Sequence, residues 1–173
     1  MTDRIVAELL EAEGWPAFTD DPRDKGGATK GGITLATLSE WLGRAATVAE
    51  LRDLPQATAE AIYSKRFITG PGFDGIADEL LRWQVVDCGV LSGPRRAVEW
   101  LQFAADVKVD GQLGPKTLAA VNGGKAHRIG LRLACSRARF MARVVERDHD
   151  QAKWVAGWIA RALRFVELEA GRG

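Results

Sequence analysis

The chain has 173 residues, with 24 lysines and arginines against 23 aspartates and glutamates, so a net charge of +1 conceals a near cancellation. That balance argues against a broadly basic nucleic-acid binder; 46% hydrophobic residues and six tryptophans supply a real core, which excludes a disordered chain and a disulfide-stapled mini-protein. Apolar runs fall far short of the roughly 18 residues of a membrane span, and the N-terminus meets an acid before any such run, so neither a transmembrane helix nor a secretory signal is expected.

Hydrophobic periodicity is helical nearly throughout. A first helix carries Ile5, Val6, Leu9 and Leu10 on one stripe and stops at Gly14. Residues 15–34 break the pattern, with Pro16, Pro22, Gly26, Gly27, Gly31 and Gly32 among Asp20, Asp21 and Asp24; this composition predicts turns and a short hairpin. Helices resume after Thr34 with Leu35, Leu38, Trp41 and Leu42, then at the capping box Thr47-x-x-Glu50, then after Pro55 with Ala59, Ile62, Tyr63 and Phe67. An apolar helix is expected over about 76–91, and Pro94 opens another. Asp110-Gly111 and Gly114-Pro115 make a double turn, and Gly123-Gly124 precedes two longer helices. The fold class is mainly α.

The charges are unevenly spread. Residues 1–24 hold seven acids against Arg4 and Arg23, whereas residues 125–147 hold Lys125 and six arginines against Glu146. Arg128, Arg132, Arg139, Arg143 and Arg147 recur at four or seven residues and form one helix face, a stripe suited to an anionic envelope polymer or to solvation beside the protein's own acids. Cys88 and Cys135 lack metal or redox spacing and are expected as buried free thiols. His127 and His149 stand alone, so no metal site is expected.

A long irregular loop near the N-terminus of a helical protein points to function. Glu13 precedes it, three and four residues after Leu10 and Leu9, which sets its carboxylate beside the apolar stripe at the negative end of the helix dipole. Both surroundings favour a protonated carboxyl, the form a general acid needs. Asp24 and Thr29 can approach from the loop, a grouping suited to glycoside hydrolysis; Asp20, Asp21 and Asp24 are equally at home as turn-formers.

The run from Glu13 to Thr34, with Asp24-Lys25-Gly26-Gly27-Ala28-Thr29 as a D-x-GG-x-T motif and Gly32-Ile33-Thr34 closing it, resembles the opening of glycoside hydrolase family 108. Gly93 to Gln102 and Val109 to Leu118 resemble the predicted peptidoglycan-binding region of those proteins, and Gly157-Trp158-Ile159-Ala160-Arg161 resembles their C-terminal GW-x-x-R signature. The resemblance implies a lysozyme-like, two-lobed helical fold with a cleft between lobes, a catalytic lobe over 1–91 and a C-terminal lobe over 92–173. It implies a muramidase cleaving the β-1,4 bond between N-acetylmuramic acid and N-acetylglucosamine, without cofactor, with Glu13 as general acid and Asp24 and Thr29 orienting water or stabilising charge. Gly26 and Gly27 would let the backbone turn beside the sugar. Three departures stand out: two extra residues near Trp15-Pro16, which leave Asp20 or Asp21 as substitutes for Asp24; Gly31 in place of an aromatic; and Asp87 in place of an Asn.

Trp15 and Tyr63 are the expected sugar contacts, with Asp87 a third substrate-binding position, while Trp41, Trp83, Trp100, Trp154 and Trp158 fall at core spacing. The expected protein is a monomeric phage or prophage endolysin, made in a host cytoplasm and released through a holin-type pore to act on periplasmic peptidoglycan. Its alternatives are a non-catalytic wall-binding protein and a secretion or lysis accessory factor.

Overall fold

The computed structural model describes residues 2–20 and 27–172, a mainly α chain with one small antiparallel sheet near the N-terminus. It forms two compact units, Met1–Gly70 and Pro71–Gly173.

In the first unit, α1 (Thr2–Ala12) buries Ile5, Val6, Leu9 and Leu10, the stripe that period 3.6 dictates. Three two-residue strands follow, β1 (Phe18–Thr19), β2 (Thr29–Lys30) and β3 (Ile33–Thr34), paired in the order β1-β2-β3. Thr34 ends β3 and caps α2 (Leu35–Leu42), its Oγ1 accepting from the Thr37 N–H at 3.1 Å. The expected capping box opens α3 (Val48–Arg52), with Glu50 N–H on Thr47 Oγ1 and Thr47 N–H on Glu50 Oε2. Then α4 (Gln56–Ser64) packs on α1 and continues as one π-helical turn, Lys65–Thr69. Phe67 lies in that turn rather than in an α-helix.

The second unit is built around α5 (Glu79–Ser92), whose buried residues include Leu80, Leu81, Val85, Val86 and Cys88. It packs against α6 (Pro94–Ala104), α8 (Ala126–Arg147) and α9 (Val155–Ala170), with α7 (Pro115–Val121) between α6 and α8 in sequence. A helix covered on most sides reads as apolar all round, which accounts for its unbroken hydrophobic character. The double turn is fixed by buried Gln102: its Oε1 accepts from the N–H groups of Asp110 (3.0 Å) and Gly111 (2.9 Å), and its Nε2 donates to Asp110 Oδ1 and Gln112 O.

Asp87 is 5% exposed and carries an ion pair on each oxygen, Oδ2 with Arg137 Nη1 at 2.5 Å and Oδ1 with Arg161 Nε at 2.6 Å. Arg137 is 1% exposed, so it does not belong to the solvent-facing side of α8. Asp87, expected to bind substrate, is therefore a structural group joining α5 to α8 and α9.

Several expectations about burial give way. Trp41 is 42% exposed and Trp154 56% exposed, so neither fills a core, and Cys135 is exposed while Cys88 is buried. Helical spacing marks a stripe but not whether that stripe meets another element. Trp83, Trp100 and Trp158 are half-buried; Trp83 meets Phe165 edge-on at 5.3 Å and Trp100 lies 5.2 Å from Phe140. Among the described residues no helix is long and apolar enough to cross a membrane.

Removing Asp87 strands one fully buried and one partly buried guanidinium. Asp87→Ala should lower the unfolding free energy by about 3–5 kcal/mol in denaturant titrations. Asp106→Ala, which breaks an exposed pair with Arg132, should change it far less.

Candidate active site

Glu13 is the residue on which α1 closes. Its own N–H still donates to Leu9 O at 2.9 Å; beyond it, Gly14 N–H reaches Glu11 O and Trp15 N–H reaches Leu10 O. These two bonds, with Gly14 at φ +77°, form a Schellman cap, so the helix end is fixed by backbone geometry and the half-buried Glu13 side chain is free of capping duty. The chain then passes through a cis Trp15-Pro16 peptide into β1.

Opposite this end stands the hairpin of β2 and β3. Lys30 pairs with Ile33, leaving Gly31-Gly32 as a two-residue turn with φ +49° and +74°. Positive φ at both central positions is the type I′ pattern, which suits the strand twist and selects glycine. Space selects glycine too. A Cβ on Gly31 would stand 2.6 Å from a Trp15 ring carbon, and one on Gly32 would stand 2.5 Å from Tyr63 Oη and 3.1 Å from Glu13 Oε2. The turn is thus enclosed by Trp15 on one residue and by Tyr63 and Glu13 on the next.

Two further bonds hold it there. Gly31 N–H donates to Ala17 O at 2.9 Å, and the Tyr63 hydroxyl donates to Gly31 O at 3.0 Å. Tyr63 is 4% exposed, so its ring is not open for sugar stacking; it positions the turn from beneath. Lys30 reaches across to α3, its Nζ donating to Arg52 O and Leu54 O while lying 5.0 Å from the Trp15 ring. Trp15 is half-buried and keeps one part of its surface open. Thr29 faces Thr19 across the β1–β2 pair, hydroxyl to hydroxyl at 2.8 Å.

The electrostatics follow from this crowding. Burial pushes the Tyr63 phenol up to about 12, the negative charge of Glu13 adds to the rise, and Arg66 opposes it. A phenol so raised stays a hydrogen-bond donor across the whole neutral range. Among the described residues no cluster of three or more His, Cys, Asp or Glu side chains could hold a metal ion.

Of the expected site residues, the structure brings Glu13, Trp15 and Tyr63 together around Gly31-Gly32 and sets Thr29 in the strand leading into that turn. Asp24 and its substitute Asp21, like Gly26, lie outside the described residues; Asp20 follows β1 and is exposed. The positioning roles of Gly31 and Gly32 were missed, although Lys30-Gly31-Gly32-Ile33 carries the glycine pair of a tight hairpin.

A family model described as glycosyl hydrolase 108 matches residues 6–93, and a second, described as predicted peptidoglycan domain, matches residues 96–163. The chain belongs to glycosyl hydrolase family 108. A solved structure titled as that of Brucella abortus SagA is 32% identical, with a TM-score of 0.77 over 98% of this chain and 94% of that one. No curated protein matches. Membership of family 108 makes this protein a glycoside hydrolase acting on peptidoglycan, followed by a region of the predicted peptidoglycan type. Within that family-108 segment, Glu13 is the carboxylate that the fold holds against the hairpin.

Tyr63 is the sole tyrosine, so absorbance near 295 nm during alkaline titration reads it alone. Its midpoint should lie near 12, above the roughly 10 of a free phenol. Glu13→Gln should lower the midpoint and Arg66→Gln should raise it. Because the folded value is the higher one, the stabilisation associated with the neutral phenol is complete below pH about 10 and lost as pH rises through about 12. A midpoint unmoved by Glu13→Gln would show the two groups to be uncoupled.

Proposed function

We propose that the protein is an N-acetylmuramidase that cleaves the β-1,4 bond between N-acetylmuramic acid and N-acetylglucosamine. The observation that carries this reading is the Glu13 carboxyl group, half-buried at a backbone-capped helix end and beside the Gly31-Gly32 turn, where a Cβ on Gly32 would stand 3.1 Å from its Oε2. A carboxyl group placed in this way can protonate the glycosidic oxygen of a sugar seated beside the turn. Asp24, in the sequence between Thr19 and Thr29, orients or activates water or stabilises the oxocarbenium-like transition state, with Asp20 or Asp21 as its substitutes; Thr29 holds the same water. Trp15 supplies an aromatic edge to the sugar beside Gly31. The physiological role we propose is that of an endolysin, reaching the periplasmic wall from a host cytoplasm through a holin-type pore.

The second unit contributes wall attachment in this reading, and its arginine stripe is narrower than spacing alone indicates. Arg132 is bonded to Asp106, with its Nη2 on Oδ1 at 2.7 Å, and Arg128 lies 3.7 Å from the same carboxylate. Arg139 and Arg143 instead line a hollow of about 190 Å³ with Trp100, Phe103 and Phe140, while Arg96 stacks 4.6 Å from the Phe140 ring. The exposed Phe103 and half-buried Trp100 and Phe140, beside guanidinium groups with no ion pair among the described residues, suit a polymer with both sugar faces and negative charge.

Digested peptidoglycan reduced with borohydride should yield muramitol from the new reducing ends; glucosaminitol in its place would refute the bond assignment. Glu13→Gln should slow this release by about 10²–10⁴-fold and should fail to clear outer-membrane-permeabilised Gram-negative cells that the native protein clears. Asparagine substitutions at Asp20, Asp21 and Asp24, made singly, identify the second carboxylate by which one abolishes release. Separately, Arg139→Gln with Arg143→Gln should weaken binding to intact sacculi and flatten its salt dependence. Arg132→Gln should do so much less, and equal losses would assign the binding elsewhere.

A further inference from the structure

The first unit contains a hollow of about 520 Å³ that the chemistry above does not use, lined by Thr37, Glu40 and Trp41 of α2 and by Ile62, Lys65 and Arg66 of α4 and the π-helical turn after it. Its size falls within the range of small-ligand sites. Its lining combines an open indole, an aliphatic wall, two cations and one carboxylate, with Lys65, Arg66 and Glu40 all exposed. Arg66 is not a loose surface charge: its Nη1 donates to Thr37 Oγ1 at 2.7 Å, which links the π turn to the first turn of α2. Ile62 and Lys65, which line the hollow, flank Tyr63 in α4 and the turn after it, and the Tyr63 hydroxyl is bonded to Gly31 O.

We propose that this hollow is the subsite for the stem peptide of peptidoglycan, a specificity element that rests on the muramidase reading above. The functional groups of the ligand match those of the lining. The lactyl ether and first alanine of a stem carry methyl groups, which suit Trp41 and Ile62. The following residues carry carboxylates, which suit Lys65 and Arg66, and, on the diamino acid, an amine, which suits Glu40. Two cations against one carboxylate leave the site net positive, complementary to a stem whose acids outnumber its amines. The Trp41 indole is 42% exposed and lines the hollow, which leaves an aromatic face available to the ligand.

The test uses the full-length Glu13→Gln protein, which keeps the hollow intact, and isothermal titration with soluble glycan strands that either carry stem peptides or have been stripped of them by an amidase. Stem-bearing strands should bind about tenfold more tightly than stripped ones. Adding Lys65→Gln should reduce that ratio by about threefold, with affinity for stripped strands unchanged, since an exposed charge-assisted contact contributes modestly. Adding Trp41→Ala should reduce the ratio as well. Equal affinity for both strands, or a ratio unmoved by both substitutions, overturns the proposal. Failure of the native protein to release muramitol would instead sink the muramidase reading, and the binding ratios stay interpretable in that case.

Discussion

The first unit depends on one buried hydrogen bond, from the Tyr63 hydroxyl to Gly31 O. A lone bond of this kind contributes about 1 kcal/mol net, but leaving a buried carbonyl unpaired costs more. Its larger effect is positional. It ties the centre of α4 to the tip of a hairpin whose strands are two residues long, too short to be stable by themselves. With the tip held, Trp15 closes over Gly31 and Glu13 abuts Gly32, so residues at the end of α1, on α4 and in the sheet meet at this turn. The glycine pair is required twice, by its positive φ values and by the lack of space for a Cβ.

The second unit solves a different problem with a costlier device. Its central helix is apolar on most sides, and such a helix can rotate or slide against its neighbours with little penalty. Asp87 removes that freedom, because only one register of α5, α8 and α9 brings Arg137 and Arg161 to its two oxygens. Buried charge is rarely a net source of stability, so the gain lies in a defined arrangement. Gln102 does the same on a smaller scale, using neutral bonds to hold the Asp110–Gln112 turn.

How much of this the sequence discloses depends on how local each feature is. The α1 stripe, the Thr34 and Thr47 caps and the placement of Glu13 at a helix end rest on contacts within a few residues, and all are readable from spacing. Asp87 is opaque because its partners lie 50 and 74 residues away, and nothing local separates a buried triad from a surface acid. Trp41 is opaque for another reason: residues at core spacing look alike whether the facing element exists or not. The burial of Tyr63 and its bond to Gly31 O are opaque as well, since a ring that stacks on sugar and a ring that props a turn occupy the same helix position. Arg137 shows the limit of charge counting, as one arginine of a basic segment proves to be the largest fully buried side chain among the described residues.

The acid and the scaffold also sustain one another electrostatically. If Tyr63 ionised, Gly31 O would lose its donor and face a negative oxygen, and the turn would be driven from the position it holds beside Glu13. Burial makes that ionisation costly, and the charge on Glu13 makes it costlier still. Glu13 therefore helps keep protonated the group that holds the turn against it. Arg66 works against this, and its tether to Thr37 directs part of its hydrogen bonding toward α2 instead of the phenol. An arginine drawn fully onto Tyr63 would ease the phenol toward ionisation; one anchored on α2 leaves the turn intact while presenting its charge to the neighbouring hollow. The same residue thus opposes the effect of Glu13 on Tyr63 and lines the neighbouring hollow.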